Sequence, residues 1–143
     1  MPLVTDTGFA ADDPSLAFVP LDALPANGPV AVDVPSDADL APLLARLPDV
    51  RAVRVDFPSF ADGRGFTIAR ALRRAGFAGR LRARGHVIAD QYAMARRCGF
   101  DEVEIDDALA ARQPEAQWLA RADWRAHDYQ ARLGRLRPAA AAG

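Results

Sequence analysis

The sequence predicts an α/β fold built from consecutive βα units. Strand-like and helix-like segments alternate from residue 30 onward, and two helix ends repeat as "RRAGF" (73–77) and "RRCGF" (96–100). Each strand-like segment is apolar on one face only. Strands separated by helices pair in parallel through right-handed crossovers. We therefore expect one α/β domain over residues 30–136, with a four-stranded, mainly parallel sheet.

The four predicted strands cover residues 30–34, 51–57, 79–85 and 101–106. A sheet covered by helices on both faces has nearly continuous apolar strands. In this chain apolar and polar residues alternate instead, so we expect a two-layer arrangement that resembles part of a (β/α) barrel. A flavodoxin-like three-layer α/β sandwich is the alternative.

The polar face of this sheet is predicted to carry a row of charges across the four strands, formed by Asp33, Arg54, Arg82 and Glu104. Neighbouring opposite charges on a sheet stabilise it by up to about 1 kcal/mol per pair. The row either faces solvent or is covered. Candidate covers are the N-terminal arm (residues 1–29), a second copy of the chain, or another protein.

Helix signals separate the strands. Ser36 or Asp37 is positioned to cap a first short helix, and two further helices are predicted over 65–75 and 87–98. Gly76 and Gly99 follow those two helices, where a left-handed cap is expected. The pattern also predicts a C-terminal helix over residues 114–136, followed by a frayed tail at 137–143.

Composition limits the function classes. The chain has 143 residues, half of them apolar, which suits a single domain with a real core. Eighteen basic and nineteen acidic residues give a net charge of −1, so we expect neither nucleic acid nor a membrane surface as a partner. One cysteine, Cys98, and the lack of a signal-peptide pattern predict a cytoplasmic protein.

The candidate site lies at the carboxyl ends of the strands, where ligands gather in open α/β folds. There the segment "DFPSFADGRG" makes the second βα unit about six residues longer than its neighbours. In it, Gly63 and Gly65 allow close backbone approach, and Arg64 can bind an anion. The alternative is structural: Asp62 caps the following helix and Arg64 pairs with an acid.

Other polar residues near this edge have two interpretations. His86 directly follows a strand and is either a general acid or base or a surface residue. Asp90 and Gln91 fall in the first turn of a helix, where an acid stabilises the helix dipole, and capping is the favoured role for Asp90. Cys98 has no partner at metal or redox spacing, so we expect it to be a small buried residue. No dinucleotide, P-loop or zinc-protease motif is present, and no metal or cofactor is expected.

Residues 55–105 resemble a bacterial family designated DUF934, a domain of unknown function whose members are typically encoded beside the assimilatory sulfite reductase. The matching positions of this chain are Asp56, Phe57, Pro58, Phe60, Asp62, Gly63, Arg64, Gly65, Arg73, Gly76, Arg82, Gly85, Asp90, Gln91, Arg97, Gly99 and Phe100. The resemblance implies a role in sulfur assimilation. The reductase itself is excluded, because its iron–sulfur cluster needs several cysteine thiolates.

The leading hypothesis is an accessory, non-catalytic protein that docks on sulfite reductase or on its electron donor through an aromatic cluster of Phe57, Phe60 and Phe66. The alternative is a small enzyme or binding protein in which Arg64, Arg82 and His86 bind a sulfur oxyanion or another small anion, with Asp56 or Asp90 as acid or base. A third possibility is a homodimer that buries the polar sheet face. The residues expected to bind an anion or a partner are Asp56, Phe57, Phe60, Asp62, Gly63, Arg64, Gly65, Arg82, His86, Asp90, Gln91 and Arg97.

Overall fold

A computed structural model describes residues 2–12 and 16–125 of the chain. Its strands are β1 (Leu3–Thr5), β2 (Gly8–Ala10), β3 (Phe18–Pro20), β4 (Val30–Val34), β5 (Val50–Phe57), β6 (Arg80–Gly85) and β7 (Glu102–Glu104). Its α-helices are α1 (Ala41–Leu44), α2 (Arg64–Arg74), α3 (Tyr92–Cys98), α4 (Asp107–Arg112) and α5 (Glu115–Leu119). Short 3-10 turns cover Leu21–Ala23, Leu47–Asp49 and Ala89–Gln91.

The described strands form one sheet in the order β2-β1-β7-β6-β5-β4-β3. Strands β3 to β7 are parallel and follow chain order, while β1 is antiparallel to both β7 and β2. The predicted α/β class and mainly parallel pairing are confirmed. The run of parallel strands shows no reversal of order, whereas the flavodoxin-like alternative requires one.

The predicted number of four strands is wrong, because the sheet has seven. The three additional strands come from the N-terminal segment, and each is only three residues long. Such short strands carry no readable alternation, and they form because their neighbours in the sheet supply hydrogen-bond partners. Strands β1 and β2 extend the sheet beyond β7, and β3 extends it beyond β4.

The hydrophobic core lies between the apolar face of the sheet and the helices. Val53 and Val55 of β5 are fully buried there, as are Leu81 and Ala83 of β6. The helices close the core with buried side chains, among them Ile68, Ala69 and Leu72 of α2, Tyr92 and Ala95 of α3, Leu109 of α4 and Trp118 of α5. The predicted one-sided strands are therefore confirmed on their apolar side.

The two repeated helix ends have the same geometry. Gly76 and Gly99 adopt φ angles of 98° and 114°, which a residue with a side chain rarely adopts. Immediately after them, the backbone N–H groups of Phe77 and Phe100 each donate to a helix carbonyl five residues back, at 3.0 Å. This satisfies carbonyls that a helix end leaves unpaired, and it confirms the predicted caps.

Arg73 joins these two helix ends. Its guanidinium donates to the carbonyl of Phe77 at 3.0 Å and, through two nitrogens, to the carbonyl of Gly99 at 3.0 and 2.7 Å. In the second repeat Arg96 donates in the equivalent way to the carbonyl of Phe100, at 2.6 Å. The basic residues of the repeat thus donate directly to carbonyls at the helix ends and just beyond them. Their positive charges also interact favourably with the negative end of the helix dipole.

The polar face carries the predicted row of charges, with a different register. Arg54 binds Asp33 through two nitrogens, and its third nitrogen lies 3.2 Å from Glu104. Arg82 donates to Glu102 and to Glu104, at 2.7 Å each. Opposite Arg82 in the sheet stands Glu102, while Glu104 stands opposite Arg84. Glu104 therefore reaches Arg54 and Arg82 from two residues beyond Glu102 along β7.

This charged row is largely removed from solvent: Arg82 is 1% exposed, Glu102 4% and Glu104 2%. The chain leaves β2 at one edge of the sheet and enters β3 at the opposite edge. Asp12, two residues after β2, lies 3.1 Å from Arg82, and the ring of Phe18, the first residue of β3, stacks on Arg82 and Arg54. The N-terminal segment, one of the predicted covers, therefore covers part of this face.

Two helix predictions are corrected. The first helix, α1, begins at Ala41 rather than after Ser36 or Asp37, and the carboxylate of Asp39 accepts from its first backbone N–H at 3.0 Å. Pro42 lies in its first turn, where a missing N–H costs no hydrogen bond. The predicted C-terminal helix is limited to α5 within the described residues. Its remainder from residue 126 onward, and the tail, lie outside them.

Candidate functional site

The carboxyl ends of the parallel strands form the edge on which the candidate site was predicted. The loop after β5 covers residues 58–63, and the shorter segment after β6 carries His86. Hydrogen bonds tie these segments to one another and to the segment after β4. The edge is therefore one continuous surface.

Asp62 and Arg64 form a closed pair at the start of α2. The carboxylate of Asp62 accepts from the backbone N–H of Arg64 at 3.1 Å and from the Arg64 guanidinium at 2.6 Å. The guanidinium also donates to the hydroxyl of Ser36, 3.0 Å away, beyond the end of β4. These contacts match the structural alternative, in which Asp62 serves the helix start and Arg64 pairs with an acid.

Each member of this pair stabilises the charged form of the other. Hydrogen bonds from the Arg64 side chain and backbone lower the pKa of Asp62 from its usual value to about 2. The same pair raises the pKa of the Arg64 guanidinium. The two side chains thus neutralise each other across the whole physiological pH range.

Two of the three phenylalanines predicted as a docking cluster are part of the core. Phe57 is 2% exposed and Phe66 6%, and their rings meet edge to face at 5.0 Å. A Cβ on Gly65 would clash with the Phe57 ring, so Gly65 is the residue that lets α2 approach β5. Phe57, Phe66 and Gly65 therefore position the loop and are not accessible to a partner.

Phe60 is the exposed member of the cluster, at 38% exposure. Its ring meets the ring of His86 edge to face, with centroids 5.3 Å apart. Gln91 donates to its backbone carbonyl at 2.9 Å, while the Gln91 side-chain oxygen accepts from the N–H of Ile88. The Nδ1 of His86 lies 3.1 Å from the carbonyl oxygen of Phe57, which only accepts. We call Phe60, His86 and Gln91 the aromatic edge.

A cleft of about 520 Å³ opens beside this loop, at the ends of β3, β4, β5 and β6. Its volume is typical of small-ligand pockets. We call it the edge cleft. Its lining consists of Pro20, Leu21, Asp22, Asp33, Val34, Pro35, Ala38, Asp39, Pro42, Arg54, Asp56 and Arg84.

The edge cleft combines apolar walls with an excess of acid. It is lined by four aspartates against two arginines, which is a formal excess of two negative charges. Both arginines are already paired: Arg54 with Asp33, and Arg84 with the buried Glu104 at 3.2 Å. Asp22 and Asp56 are exposed to solvent, and within the described part of the chain no ion pair engages either of them.

Three other predicted site residues belong neither to the aromatic edge nor to the edge cleft. Arg82 is buried in the polar sheet face and is bound by carboxylates. Asp90 is largely exposed and accepts from Arg121 at 2.7 Å, so the predicted capping role is not observed. Arg97 lies in the last turn of α3, at the amino-terminal side of the sheet, away from the carboxyl edge.

The sequence analysis did not identify the residues that form one wall of the edge cleft. Pro20, Leu21 and Asp22 come from the end of β3 and the turn after it, inside the segment predicted as an arm. The available signal was the apolar run from Leu16 to Val19, followed by Pro20 and an acid. That run pairs with β4 and thereby brings Asp22 to the same edge as Asp56.

The described residues also bear on cofactor and membrane chemistry. Cys98 is buried, and burial raises the pKa of its thiol, as expected for a structural cysteine. Within residues 2–12 and 16–125, no three His, Cys, Asp or Glu side chains are grouped so as to hold a metal ion. In the same residues, every helix is too short or too polar to cross a membrane.

Comparison with known proteins gives one match. The family model described as "Bacterial protein of unknown function (DUF934)" matches residues 31–140. No curated protein and no solved structure was found to match the chain. The matched range takes in β4 to β7, all five helices and both repeated helix ends, and it begins after the three N-terminal strands. Since it covers most of the sequence, the chain belongs to the DUF934 family of bacterial proteins.

Proposed function

We propose that this protein is a non-catalytic accessory protein of assimilatory sulfite reduction, which docks on sulfite reductase or on its electron donor through its carboxyl edge. The partner is taken from the resemblance of residues 55–105 to proteins encoded beside that reductase. The docking role is argued from the geometry of the edge. The observation that carries it is the exposed, braced ring of Phe60.

An exposed aromatic ring held in one conformation is suited to protein recognition. Tyr, Trp and other large side chains at the centre of interfaces supply much of the binding energy, and ordering them beforehand lowers the entropy lost on binding. The His86 ring packs edge to face against the Phe60 ring, and Gln91 holds the Phe60 backbone through a hydrogen bond. The aromatic edge is therefore a ready-made contact surface.

The anion-binding alternative receives less support from the same residues. Arg64 is exposed but its charge is met by Asp62, and Arg82 is buried among carboxylates. An anion at Arg64 would have to compete with a carboxylate held at 2.6 Å. Neither Arg64 nor Arg82 is available to an anion without breaking an existing ion pair, and Arg97 lies away from the carboxyl edge.

The test is co-purification of the tagged full chain with the reductase and its electron donor. Phe60→Ala is expected to reduce the retained partner at least tenfold, because a hot-spot residue typically contributes more than about 2 kcal/mol. Leu44→Ala is the matched control, since Leu44 is exposed to 40% but lines a separate groove with Leu47 and Phe77. Equal retention of both variants and wild type, or no retention of wild type, would contradict the proposal.

A thermal-shift series separates the anion alternative. A ligand at concentration L that binds only the folded state stabilises it by RT ln(1 + L/Kd), so the unfolding midpoint rises once the ligand concentration exceeds Kd. We expect sulfite and sulfate to leave the midpoint of the wild-type chain equal to that in a chloride control of the same ionic strength. A concentration-dependent increase beyond the chloride control that Arg64→Ala abolishes would favour anion binding over docking.

A further inference from the structure

The walls of the edge cleft are apolar, and its free charges are negative. Pro20 and Leu21 face the cleft from the end of β3 and the turn after it, and Ala38 and Pro42 face it from the segment around the start of α1. A ligand that fills this space buries carbon against these walls. Any charge it brings meets the carboxylates that line the same space.

The sign of the preferred charge follows from the pairing of the lining residues. Arg54 is bound by Asp33 through two hydrogen bonds, so this pair presents no net charge. Arg84 is likewise matched by Glu104 behind the cleft. What remains toward the opening is the unmatched charge of Asp22, Asp39 and Asp56, of which Asp39 already accepts from the first backbone N–H of α1. A cation placed between Asp22 and Asp56 gains attraction from both, and an anion is repelled by both.

We infer that the edge cleft binds a basic side chain, arginine or lysine, of the protein on which this chain docks. The aliphatic stem of such a side chain packs on Leu21 and Pro42, and its charged head meets Asp22 and Asp56. Long basic side chains bury their methylene stems on apolar surface while the head stays polar, which is the combination this cleft offers. This inference rests on the proposed function.

Continuity with the aromatic edge favours a protein as the source of the basic group. Pro35 lines the cleft, and the next residue, Ser36, accepts from Arg64 at the start of α2. Arg64 is held in turn by Asp62, which lies two residues after Phe60 in the same loop. An aromatic anchor and an acidic cleft on one surface suit a partner with an apolar contact beside a basic residue.

The first test uses a minimal probe on the full chain. N-acetylarginine amide is titrated into the ¹⁵N-labelled protein, with N-acetylcitrulline amide as an uncharged probe of nearly the same shape. We expect saturable shifts of backbone amides at Leu21, Asp22, Val34 and Asp56 with the arginine probe only. Equal shifts with both probes, or shifts elsewhere only, would overturn the inference.

Matched variants make the test specific. The double substitution Asp22→Asn with Asp56→Asn is expected to weaken binding of the arginine probe at least fivefold. Asp49→Asn removes one negative charge at the opposite end of the sheet, in the turn before β5, and is expected to leave binding unchanged. Equal weakening by both would show an effect of overall charge and would overturn the inference.

Co-purification then separates the inference from the proposed function. We expect the double variant to retain at least tenfold less partner than wild type and Asp49→Asn do. If it retains as much as wild type while Phe60→Ala loses the partner, the cleft inference is wrong and the docking function stands. If wild type binds the arginine probe at the cleft but retains neither reductase nor donor, the proposed function is wrong while the cation preference stands.

Discussion

Gly65 lies directly against the ring of Phe57, so that the first turn of α2 touches the last residue of β5 with no side chain between them. The Phe57 ring also meets Phe66 at 5.0 Å and Phe100 at 5.7 Å, both edge to face. The ring therefore has no room to retreat. This contact sets the distance between the start of α2 and the end of β5, and with it the position of the loop that carries Phe60.

We predict that Gly65→Ala destabilises the fold by about 1–3 kcal/mol, the usual range for overpacking a core. Gly63→Ala is the control two residues away, since a Cβ there meets its nearest neighbour, Phe66, at an ordinary 3.9 Å. It is expected to cost less than about 1 kcal/mol. Urea unfolding of the two variants measures the difference, and similar losses in both would contradict the close contact.

The buried charges of the polar sheet face predict a second contrast. Arg82→Ala leaves Glu102 and Glu104 buried without their shared cation, and breaking a buried pair in this way typically costs about 3–5 kcal/mol. Arg84→Ala also removes a partner of Glu104, but Arg84 is 43% exposed, so the expected cost is at most about 1 kcal/mol. Chemical denaturation compares the two. An Arg82→Ala variant as stable as Arg84→Ala would show that water reaches the carboxylates.

Asp6 predicts a loss of stability in acid. Burial works against its charge, but hydrogen bonds from Tyr92, Arg96 and Trp124 outweigh burial and lower the pKa of the carboxyl below 3.8. A lowered folded-state pKa adds stability that is present above the unfolded pKa and is lost as the pH falls through the folded one. Asp6 is partly exposed, so screening limits the contribution to at most about 1 kcal/mol.

The measurement is the free energy of unfolding of wild type and Asp6→Asn between neutral pH and pH 2. We expect the variant to be less stable at neutral pH and to approach wild type in acid, because both then carry an uncharged side chain at this position. Asp49→Asn, at an exposed and looser pair with Arg46, serves as the comparison. Parallel curves for wild type and Asp6→Asn over the whole range would refute the role of Asp6.

The pair at the start of α2 predicts a titration that can be followed residue by residue. In wild type the carboxyl of Asp62 is expected to titrate near pH 2, because Arg64 donates to it through side chain and backbone. In Arg64→Ala we expect its pKa to rise toward the usual value for aspartate. Carbon-detected NMR of the side-chain carboxyl gives both values, and an unchanged pKa in the variant would show that Arg64 does not hold Asp62.

Local patterns predicted those parts of the fold that depend on neighbours in sequence. Gly76 and Gly99 were identified as caps because a basic helix end followed by Gly and Phe is a local signal, and both adopt a positive φ. Strand β4 was predicted with its observed bounds, 30–34, because valines alternate with other residues at its five positions. Ser36 was misassigned as a cap, since its actual contact, Arg64, is 28 positions away.

The candidate site was only partly predictable for the same reason. Asp56 lies near the end of β5, and Asp62 and Arg64 follow between it and the first turn of α2, so placing them at the carboxyl edge needed only the strand. The edge cleft also needs Leu21 and Asp22, which reach it only because β3 pairs beside β4. Which phenylalanine is exposed could not be read from composition, because Phe57 and Phe60 differ only in which side of the chain turns inward.

The pairing of β1 with β7 has a consequence for how the chain folds. Leu3 stands opposite Glu104, so residues from the beginning of the sequence complete the sheet beside its last parallel strand. During synthesis, β1 and β2 can pair with each other but not with β7 until residues 102–104 have left the ribosome, while β4, β5 and β6 already have partners nearby in sequence. Contacts so distant in sequence slow folding. We therefore expect the N-terminal hairpin to be the last addition to the sheet, and Arg82 to lose water only when Asp12 and Phe18 reach it.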